Sequence, residues 1–304
     1  MSVLSVVLPA YNEEAMLLKT ADTLRHVLRE HQIEYQLIFV DDGSKDRTWE
    51  KIEQAAQQDA HVTGIHFSRN FGKEAAIFAG LANAEGDCAA VMDCDLQHPP
   101  ETLIEMFRLW ENGYEVVEAV KRSRGSETKL HSVGAKVFYK IMTKATGFDM
   151  SRASDFKLMD RRAVEVLLEM PERNAFFRAM SSWIGFRSTT VEFDVREREA
   201  GESKWSPLSL ARYAVTNVVS YSSAPMQIVT GAGVLVFLLA VVLGIQTIMR
   251  YLSGKAVEGF TTVILLLLVL GSIIMMSLGV IGYYISKIYE EVKGRPRYII
   301  SKKI

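Results

Sequence analysis

Two long stretches without charge constrain this chain more than any other sequence feature. No charged residue occurs in residues 213–249 or in residues 259–286. Each stretch exceeds the roughly 20 apolar residues that a helix needs to cross a bilayer. The sequence therefore predicts two transmembrane helices, at about 226–249 and 260–286. The alternative, a pair of buried core helices, is disfavoured because neither stretch shows a polar stripe.

The charges that flank these stretches indicate their orientation. Lys255 is the only basic residue of the loop between them after Arg250, whereas a basic tail follows the second stretch. The basic residues of that tail are Lys287, Lys293, Arg295, Arg297, Lys302 and Lys303. Because cytoplasmic loops carry the excess of Lys and Arg, we expect the tail in the cytosol. Two spans then put both termini on the cytosolic side, which agrees with an N-terminal sequence that does not resemble a signal peptide.

The N-terminal part alternates short β-rich runs with helical patterns, which is typical of βαβ units on a mainly parallel sheet. The predicted strands are 4–8, 35–40, 62–67, 88–92 and 115–120. The predicted helices between them are 15–30, 48–59, 74–84 and 100–112. The fold class is therefore α/β. Ligands of such sheets bind beyond the carboxyl ends of the strands.

Residues 121–205 have a less regular pattern. It predicts helices at 131–147, 161–170 and 176–184 and a strand at 156–159. Residues 206–223 mix Arg212 with apolar residues, which is typical of an interfacial amphipathic helix. The sequence thus predicts an α/β domain at 1–205, this juxtamembrane helix at 206–223, two spans within 224–287 and the basic tail at 288–304.

Two carboxylates, Asp93 and Asp95, directly follow the predicted strand 88–92. Hard oxygen ligands that leave room for water and substrate phosphates suit Mg²⁺ or Mn²⁺. A divalent ion there would neutralise a diphosphate and stabilise it as a leaving group. The alternative is a solvated turn that merely ends the strand, because two acidic residues at this spacing are a weak signal alone.

A second acidic pair, Asp41 and Asp42, follows the second strand, where a nucleotide-binding fold places a carboxylate that contacts the ribose or base. The alternative is a turn that caps the next helix through Gly43 and Ser44. Glycine patterns of dinucleotide dehydrogenases and P-loop NTPases do not occur in the sequence, which disfavours both classes. A net charge of −1 gives no sign of a nucleic-acid partner.

Four sequence blocks resemble successive motifs of glycosyltransferase family two, which implies a GT-A fold. They are Val7-Leu-Pro-Ala-Tyr-Asn-Glu-Glu14, Val40-Asp-Asp-Gly-Ser44, Arg69-Asn-Phe-Gly-Lys73 and Met92-Asp-Cys-Asp-Leu-Gln-His-Pro99. Three later blocks are similar to the polyprenyl-phosphate glycosyltransferases, particularly the bactoprenol glucosyltransferases. These are Ser154-Asp-Phe-Lys-Leu158, Arg198-Glu-Ala-Gly-Glu-Ser-Lys204 and Glu291-Val-Lys-Gly-Arg-Pro-Arg-Tyr298. One departure is Tyr283, because many members carry an acidic residue after the equivalent of Gly282.

The resemblance implies a role for individual residues. The nucleotide-sugar would contact Pro9, Tyr11, Glu13, Asp41, Asp42, Lys73 and Asp93. The metal–diphosphate would be held by Asp93, Asp95 and Gln97. The implied catalytic residues are Asp155, as the carboxylate at the reaction centre, and Asp95. The alternative role of Asp155 is a strand-edge Asp that binds backbone or Lys157. For His98 we favour a packing role beside Pro99 and Pro100.

The acceptor side needs positive charge because a polyprenyl phosphate carries close to two negative charges. The predicted lipid-phosphate ligands are Arg122, Arg124, Lys129, Arg198 and Lys204. Arg grips phosphate oxygens with two nitrogens, while Lys acts as a point charge. The alternative is a juxtamembrane patch drawn to anionic lipids.

Together these features predict an inverting enzyme of the bacterial inner membrane. It would move one sugar, glucose or N-acetylglucosamine, from a UDP-sugar to undecaprenyl phosphate at the cytosolic membrane face. The resemblance implies a homo-oligomer, with a tetramer suggested by relatives, and a downstream flippase and a second glycosyltransferase as further partners. Two alternatives are a catalytically idle scaffold or flippase partner and, less favoured, a processive polysaccharide synthase. The four tryptophans lack the Gln-x-x-Arg-Trp context of such synthases.

Overall fold

A computed structural model describes residues 2–122, 143, 154–172, 176–195, 224–253 and 259–304. The chain divides into two compact units. One consists of Met1–Leu210 together with Arg295–Ile304, and the other of Ala211–Gly294. The predicted interfacial helix 206–223 lies outside the described residues, and so does the predicted helix 131–147 apart from residue 143.

The first unit is built on an eight-stranded sheet with the order β7-β5-β6-β4-β1-β2-β3-β8. Its strands are β1 (Val3–Ala10), β2 (Glu34–Asp41), β3 (Val62–Phe67), β4 (Cys88–Val91), β5 (Val116–Lys121), β6 (Lys157–Asp160), β7 (Ser188–Phe193) and β8 (Ile300–Lys303). Strands β4, β1, β2 and β3 are parallel, and so are β5 and β7. Strand β6 runs antiparallel between β4 and β5, and β8 runs antiparallel to β3. The predicted mainly parallel α/β sheet is confirmed.

Helices cover this sheet. They are α1 (Leu17–Glu30), α2 (Thr48–Gln58), α3 (Lys73–Ala82), α4 (Pro100–Glu111), α5 (Arg161–Glu169) and α6 (Phe177–Trp183). Helix α1 buries Leu17, Ala21, Leu24 and Leu28, a spacing that places one apolar stripe on the core. Strand β1 is buried along most of its length because a parallel sheet is covered on both faces. The core therefore lies on both sides of β1.

The elements of the first 121 residues begin and end within about two residues of their predicted bounds, because their apolar periodicity is regular. Two strands were not predicted. The alternating residues of β7 fell in the less regular segment, and β8 was placed in a separate basic tail. That tail assignment is wrong for the last residues, which join the sheet at the β3 edge.

The second unit contains α7 (Ala224–Leu252) and α8 (Phe260–Val292). Each holds a segment long and apolar enough to cross a membrane. These segments are Met226–Leu243, with mean hydropathy 2.4, and Val269–Val292, with mean hydropathy 1.8; neither is buried. The two predicted apolar helices are confirmed.

A glycine lets two loops meet at the carboxyl edge of the sheet. Gly43, which follows β2, has a φ of +66°. A Cβ at this position would lie 2.4 Å from the carbonyl carbon of Arg69 and 2.7 Å from the backbone nitrogen of Asn70. Only a residue without a side chain allows this approach.

We predict that Gly43→Ala lowers the free energy of unfolding more than Gly113→Ala does. Both glycines have positive φ, which costs an L-residue about 1–2 kcal/mol. At Gly113, however, the nearest atom to an added Cβ is a side-chain nitrogen at 3.8 Å. Overpacking should therefore add about 1–3 kcal/mol only at Gly43. Thermal unfolding of the full chain in detergent measures the difference, and equal losses would contradict the backbone contact.

Candidate active site

The carboxyl edge of the parallel strands collects the acidic residues that the sequence singled out. Strand β6 begins at this edge because it runs against β4. The register pairs Val91 with Lys157. Continued by two residues, the same register places Asp93 beside Asp155. The sheet topology thus brings together two carboxylates that are far apart in sequence.

A chain of alternating charges links these carboxylates. The Lys73 Nζ lies 2.6 Å from an Asp93 oxygen and 2.8 Å from an Asp155 oxygen. Arg178 donates to Asp155 from Nε at 2.6 Å and from Nη2 at 3.0 Å. We call Asp93, Lys73, Asp155 and Arg178 the charge network. The side chain of Asp155 is 8% exposed, whereas that of Lys73 is 38% exposed.

The network fixes the protonation of its members. Burial alone would raise the pKa of Asp155, but Arg178 and Lys73 outweigh it and hold that pKa well below its ordinary value. Burial would likewise lower the pKa of Lys73, yet Asp155 and Asp93 raise it. Asp155 is therefore an ionised carboxylate and a weak base. Such a group is suited to orientation and electrostatic work rather than to proton abstraction.

Two further residues of this region were missed by sequence reasoning. Arg178 lies on α6, in a segment without a recognisable motif, so no pattern pointed to it. Glu74 follows the quoted block that ends at Lys73, and its Oε2 accepts the Phe177 backbone N–H at 2.9 Å. Burial, with a smaller contribution from the Asp155 charge, raises the pKa of Glu74 to about 7.

The loop after β4 presents the predicted metal ligands at one surface. Asp93, Asp95 and Gln97 are half-buried, and the residues between them are buried. The Asp95 Oδ1 accepts the Gln97 backbone N–H at 3.1 Å. Leu96 has a φ of +55°, an uncommon conformation for a large side chain. The side chains of Asp93, Asp95 and Gln97 therefore lie on the more exposed side of this turn.

The buried ring of His98 supports this loop by ring packing and by a hydrogen bond to its backbone. Its ring stacks on Phe156 with centroids 4.7 Å apart and meets Phe193 edge to face at 5.4 Å. The Asp93 backbone N–H donates to His98 Nδ1 at 3.3 Å. Burial lowers the pKa of His98. The ring thus packs in an aromatic cluster next to the loop that carries the predicted metal ligands.

The carboxylates of this loop suit a divalent ion whose other ligands are waters and substrate phosphates. Within the described ranges, no three His, Cys, Asp or Glu side chains are grouped so that they could hold a metal ion together. Two neighbouring carboxylates suit an ion that keeps waters and binds substrate phosphates, as Mg²⁺ does. Asp93 and Asp95 match that chemistry.

Both carboxylates of the acidic pair at the end of β2 are buried and accept hydrogen bonds from neighbouring loops. Asp41 is fully buried, and its oxygens accept the Ser44 backbone N–H at 2.9 Å and contact His66 Nδ1 at 2.7 Å. The Ser44 bond closes the turn of the alternative interpretation, but this turn does not cap α2, whose N-cap residue is Arg47. Direct contact of Asp41 with the nucleotide stays a prediction. Asp42 accepts the backbone N–H groups of Phe71 and Gly72 at 2.6 and 2.9 Å.

The remaining nucleotide-pocket candidates lie at the same edge. Pro9 is half-buried near the end of β1, and Tyr11 and Glu13 are half-buried in the loop that follows. The Glu13 backbone N–H donates to Thr48 Oγ1 at 2.8 Å, which ties this loop to α2. For Asp42, burial outweighs the Phe71 and Gly72 N–H groups and raises the pKa to about 6.

Of the predicted lipid-phosphate ligands, only Arg122 is described. Its side chain is 61% exposed and pairs with Asp194 at 3.0 Å and with Glu192 at 3.7 Å. Exposed pairs of this kind are worth about 0–1 kcal/mol. The other four, Arg124, Lys129, Arg198 and Lys204, lie outside the described residues.

Residues 5–168 match the family model described as glycosyl transferase family 2. An uncharacterized glycosyltransferase of Synechocystis is 38% identical over 98% of this chain and 94% of its own length. A prophage bactoprenol glucosyl transferase homolog of Escherichia coli is 36% identical and covers 98% of both chains. A bactoprenol glucosyl transferase of Shigella phage SfII is also 36% identical, over 98% of this chain and 97% of its own length.

Solved structures share the fold. Glucosyl-3-phosphoglycerate synthase of Mycobacterium tuberculosis, in complex with Mn²⁺, UDP-glucose and phosphoglyceric acid, matches with a TM-score of 0.50 and 20% identity over 72% of this chain and 79% of that one. Mannosyl-3-phosphoglycerate synthase of Rubrobacter xylanophilus matches with a TM-score of 0.50 and 17% identity, over 72% and 73% of the two chains.

We predict that Arg178→Gln destabilises the protein at neutral pH by an amount that shrinks in acid. A carboxylate whose pKa is depressed in the folded state stabilises the fold above its unfolded pKa of about 3.9 and loses that contribution as pH falls through the folded value. Removing Arg178 weakens this contribution. The difference in melting temperature from the unmodified chain should be largest above pH 5 and narrow below about pH 4.

The control for this measurement is Arg108→Gln, because Arg108 pairs with the exposed Glu111 at 2.9 Å. This surface pair should change the melting temperature little at any pH. A pH-independent difference for Arg178→Gln would show that the charge of Asp155 is not what Arg178 stabilises.

Proposed function

Because this chain belongs to glycosyltransferase family 2, we propose that it transfers a single sugar from a UDP-sugar to undecaprenyl phosphate, with inversion at the anomeric carbon. The observation that carries the proposal is the extent of the similarity. Relatives named bactoprenol glucosyl transferases match 98% of the chain, so the likeness includes both apolar helices as well as the carboxylate edge. Their names favour glucose as the sugar, and N-acetylglucosamine is the second candidate.

The donor side of the proposal rests on the loop after β4. Asp93 and Asp95, with Gln97 beside them, would hold Mg²⁺ or Mn²⁺ against the donor diphosphate. The ion would supply the positive charge that stabilises the departing UDP. The mycobacterial synthase of the same fold was solved with Mn²⁺ and UDP-glucose, the same pair of ligands. Glu13, Asp42, Pro9 and Tyr11 would line the nucleoside end.

The chemistry at the acceptor follows from the nucleophile. A phosphate oxygen is already ionised at neutral pH, so the reaction needs positioning more than it needs a strong base. The low pKa of Asp155 agrees with this requirement. Asp155 would orient the reacting groups from the centre of the charge network, and Asp95 would act through the metal. Arg178 and Lys73 would keep the Asp155 carboxylate ionised and fixed.

The acceptor phosphate would be held by basic residues, of which the structure describes Arg122, directly after β5. Arg122 would exchange its exposed acidic partners for the phosphate, since those pairs are weak. Arg124, Lys129, Arg198 and Lys204 would complete the group. The two apolar helices would hold the protein in the bacterial inner membrane, with the catalytic unit and both termini in the cytosol. We also propose a homo-oligomer, for which a tetramer is the candidate, acting before a flippase and a second glycosyltransferase.

A transfer assay tests the proposed function. The full chain in detergent is incubated with undecaprenyl phosphate, Mn²⁺ or Mg²⁺ and each member of a panel of radiolabelled UDP-sugars. We expect one UDP-sugar to give a lipid product that carries one sugar, and only when the lipid phosphate is present. Release of long polysaccharide would indicate a processive synthase, and no transfer from any sugar would indicate an idle scaffold.

We predict that Asp95→Asn lowers metal-dependent transfer by about 100- to 1000-fold, the loss typical of removing one electrostatic stabiliser. The amide keeps the shape of the side chain but removes its charge. The matched control is Asp22→Asn, because Asp22 is an exposed residue of α1 that pairs with Arg25. Both variants should melt at the temperature of the unmodified chain. Full activity in Asp95→Asn would remove the metal role.

A further inference from the structure

Residues Arg295–Ile304, which follow α8, belong to the first unit, which holds the candidate active site, rather than to a free tail. Strand β8 pairs with β3, and the ring of Tyr298 stacks on Phe67 with centroids 5.1 Å apart and planes 9° from parallel. The Ser301 hydroxyl donates to the carbonyl oxygen of His66 at 3.3 Å. Residues 291–298 form one of the blocks that are similar to the polyprenyl-phosphate glycosyltransferases, yet the proposed chemistry gives them no role.

Within this block, Arg297 contacts two other parts of the unit. Its Nη2 donates to the carbonyl oxygen of Met170 at 2.5 Å and to that of Glu172 at 2.6 Å. Its guanidinium carbon also lies 4.7 Å from the ring centroid of Phe78. The two carbonyls directly follow α5, at a helix end where backbone acceptors lack helical partners. A cation there is favoured by the helix dipole as well.

Both parts that Arg297 contacts lie close in sequence to residues of the charge network. Phe78 lies on α3, one turn after Glu74 and close to Lys73 at the start of that helix. The carbonyl of Glu172 shortly precedes α6, whose first residue donates its backbone N–H to Glu74 and whose second residue is Arg178. Arg297 therefore joins α3 to Met170 and Glu172, which lie between α5 and the helix that carries Arg178.

We propose that Arg297 is a positioning residue for sugar transfer: it fixes the α5–α6 connection against α3 so that Arg178 holds the Asp155 carboxylate in place. The inference rests on the proposed function in that it gives Asp155 a part in the reaction. Arginine suits the role because one planar guanidinium bonds two carbonyls and still lies over an aromatic ring, whereas lysine offers a single flexible charge.

The first test measures backbone mobility and does not depend on activity. Amide hydrogen exchange is followed in the full chain in detergent for the unmodified protein, Arg297→Ala, Arg297→Lys and the control Ser301→Ala. We expect faster exchange in Phe177–Trp183 for Arg297→Ala, a smaller effect for Arg297→Lys and none for Ser301→Ala, which loses a contact at β3 only. Unchanged exchange in Phe177–Trp183 for both Arg297 variants would overturn the proposal.

The second test separates positioning from general stability. In the transfer assay, Arg297→Ala should lower kcat about 10- to 100-fold, a loss typical of a small misplacement of reacting groups, and leave the KM for the UDP-sugar nearly unchanged. The combination with Arg178→Lys should be no worse than Arg178→Lys alone, because both changes act on the same contact. Additive losses would overturn the proposal.

The two proposals fail in different ways. If the unmodified chain transfers no sugar, the proposed function fails, while the exchange experiment still decides whether Arg297 holds α6. If the unmodified chain is active and the Arg297 variants match it in kcat, only the positioning role fails. Should Arg297→Ala not fold, Arg297→Lys provides the same comparison with the charge retained.

Discussion

A carboxylate that is almost completely buried stays ionised only if cations face it, and Asp155 meets this condition through Lys73 and Arg178. These cations come from different helices, α3 and α6, so both helices must start at the same place beside β6. The antiparallel insertion of β6 next to β4 is what puts Asp155 there. The electrostatic requirement of one side chain therefore sets the relative placement of three elements that are distant in sequence.

Carboxylates at this edge differ in their exposure. Asp41 and Asp42 are both buried with both oxygens engaged, and Asp42 binds the loop that Gly43 allows to approach. Asp95 stays half-buried on a turn backed by aromatic rings. Carboxylates of one chemical type thus perform different tasks because each loop gives them a different exposure and a different set of donors.

How much of this could be predicted from sequence depends on where the information lies. The first five strands and four helices were predictable because burial on a parallel sheet imposes a regular apolar period. Asp93 and Asp95 were found because they directly follow a strand. Arg178 could not be found, since its partner lies on another element and its own surroundings repeat no pattern. Strand β8 was not predicted because a short edge strand with two lysines resembles a solvated tail. Such lysines are nevertheless typical of edge strands, because they protect a sheet edge from unwanted pairing.

The position of β8 in the sequence has a consequence for the order of folding. Domains generally fold as units while the chain is being made, starting from the N-terminal side. Here the strand that covers the edge of β3 comes after both apolar helices. During synthesis, the edge of β3 therefore stays unpaired until α7, α8 and then β8 have been made. The catalytic sheet reaches its final form only once the apolar helices exist, so a chain interrupted within them would carry an exposed, association-prone strand.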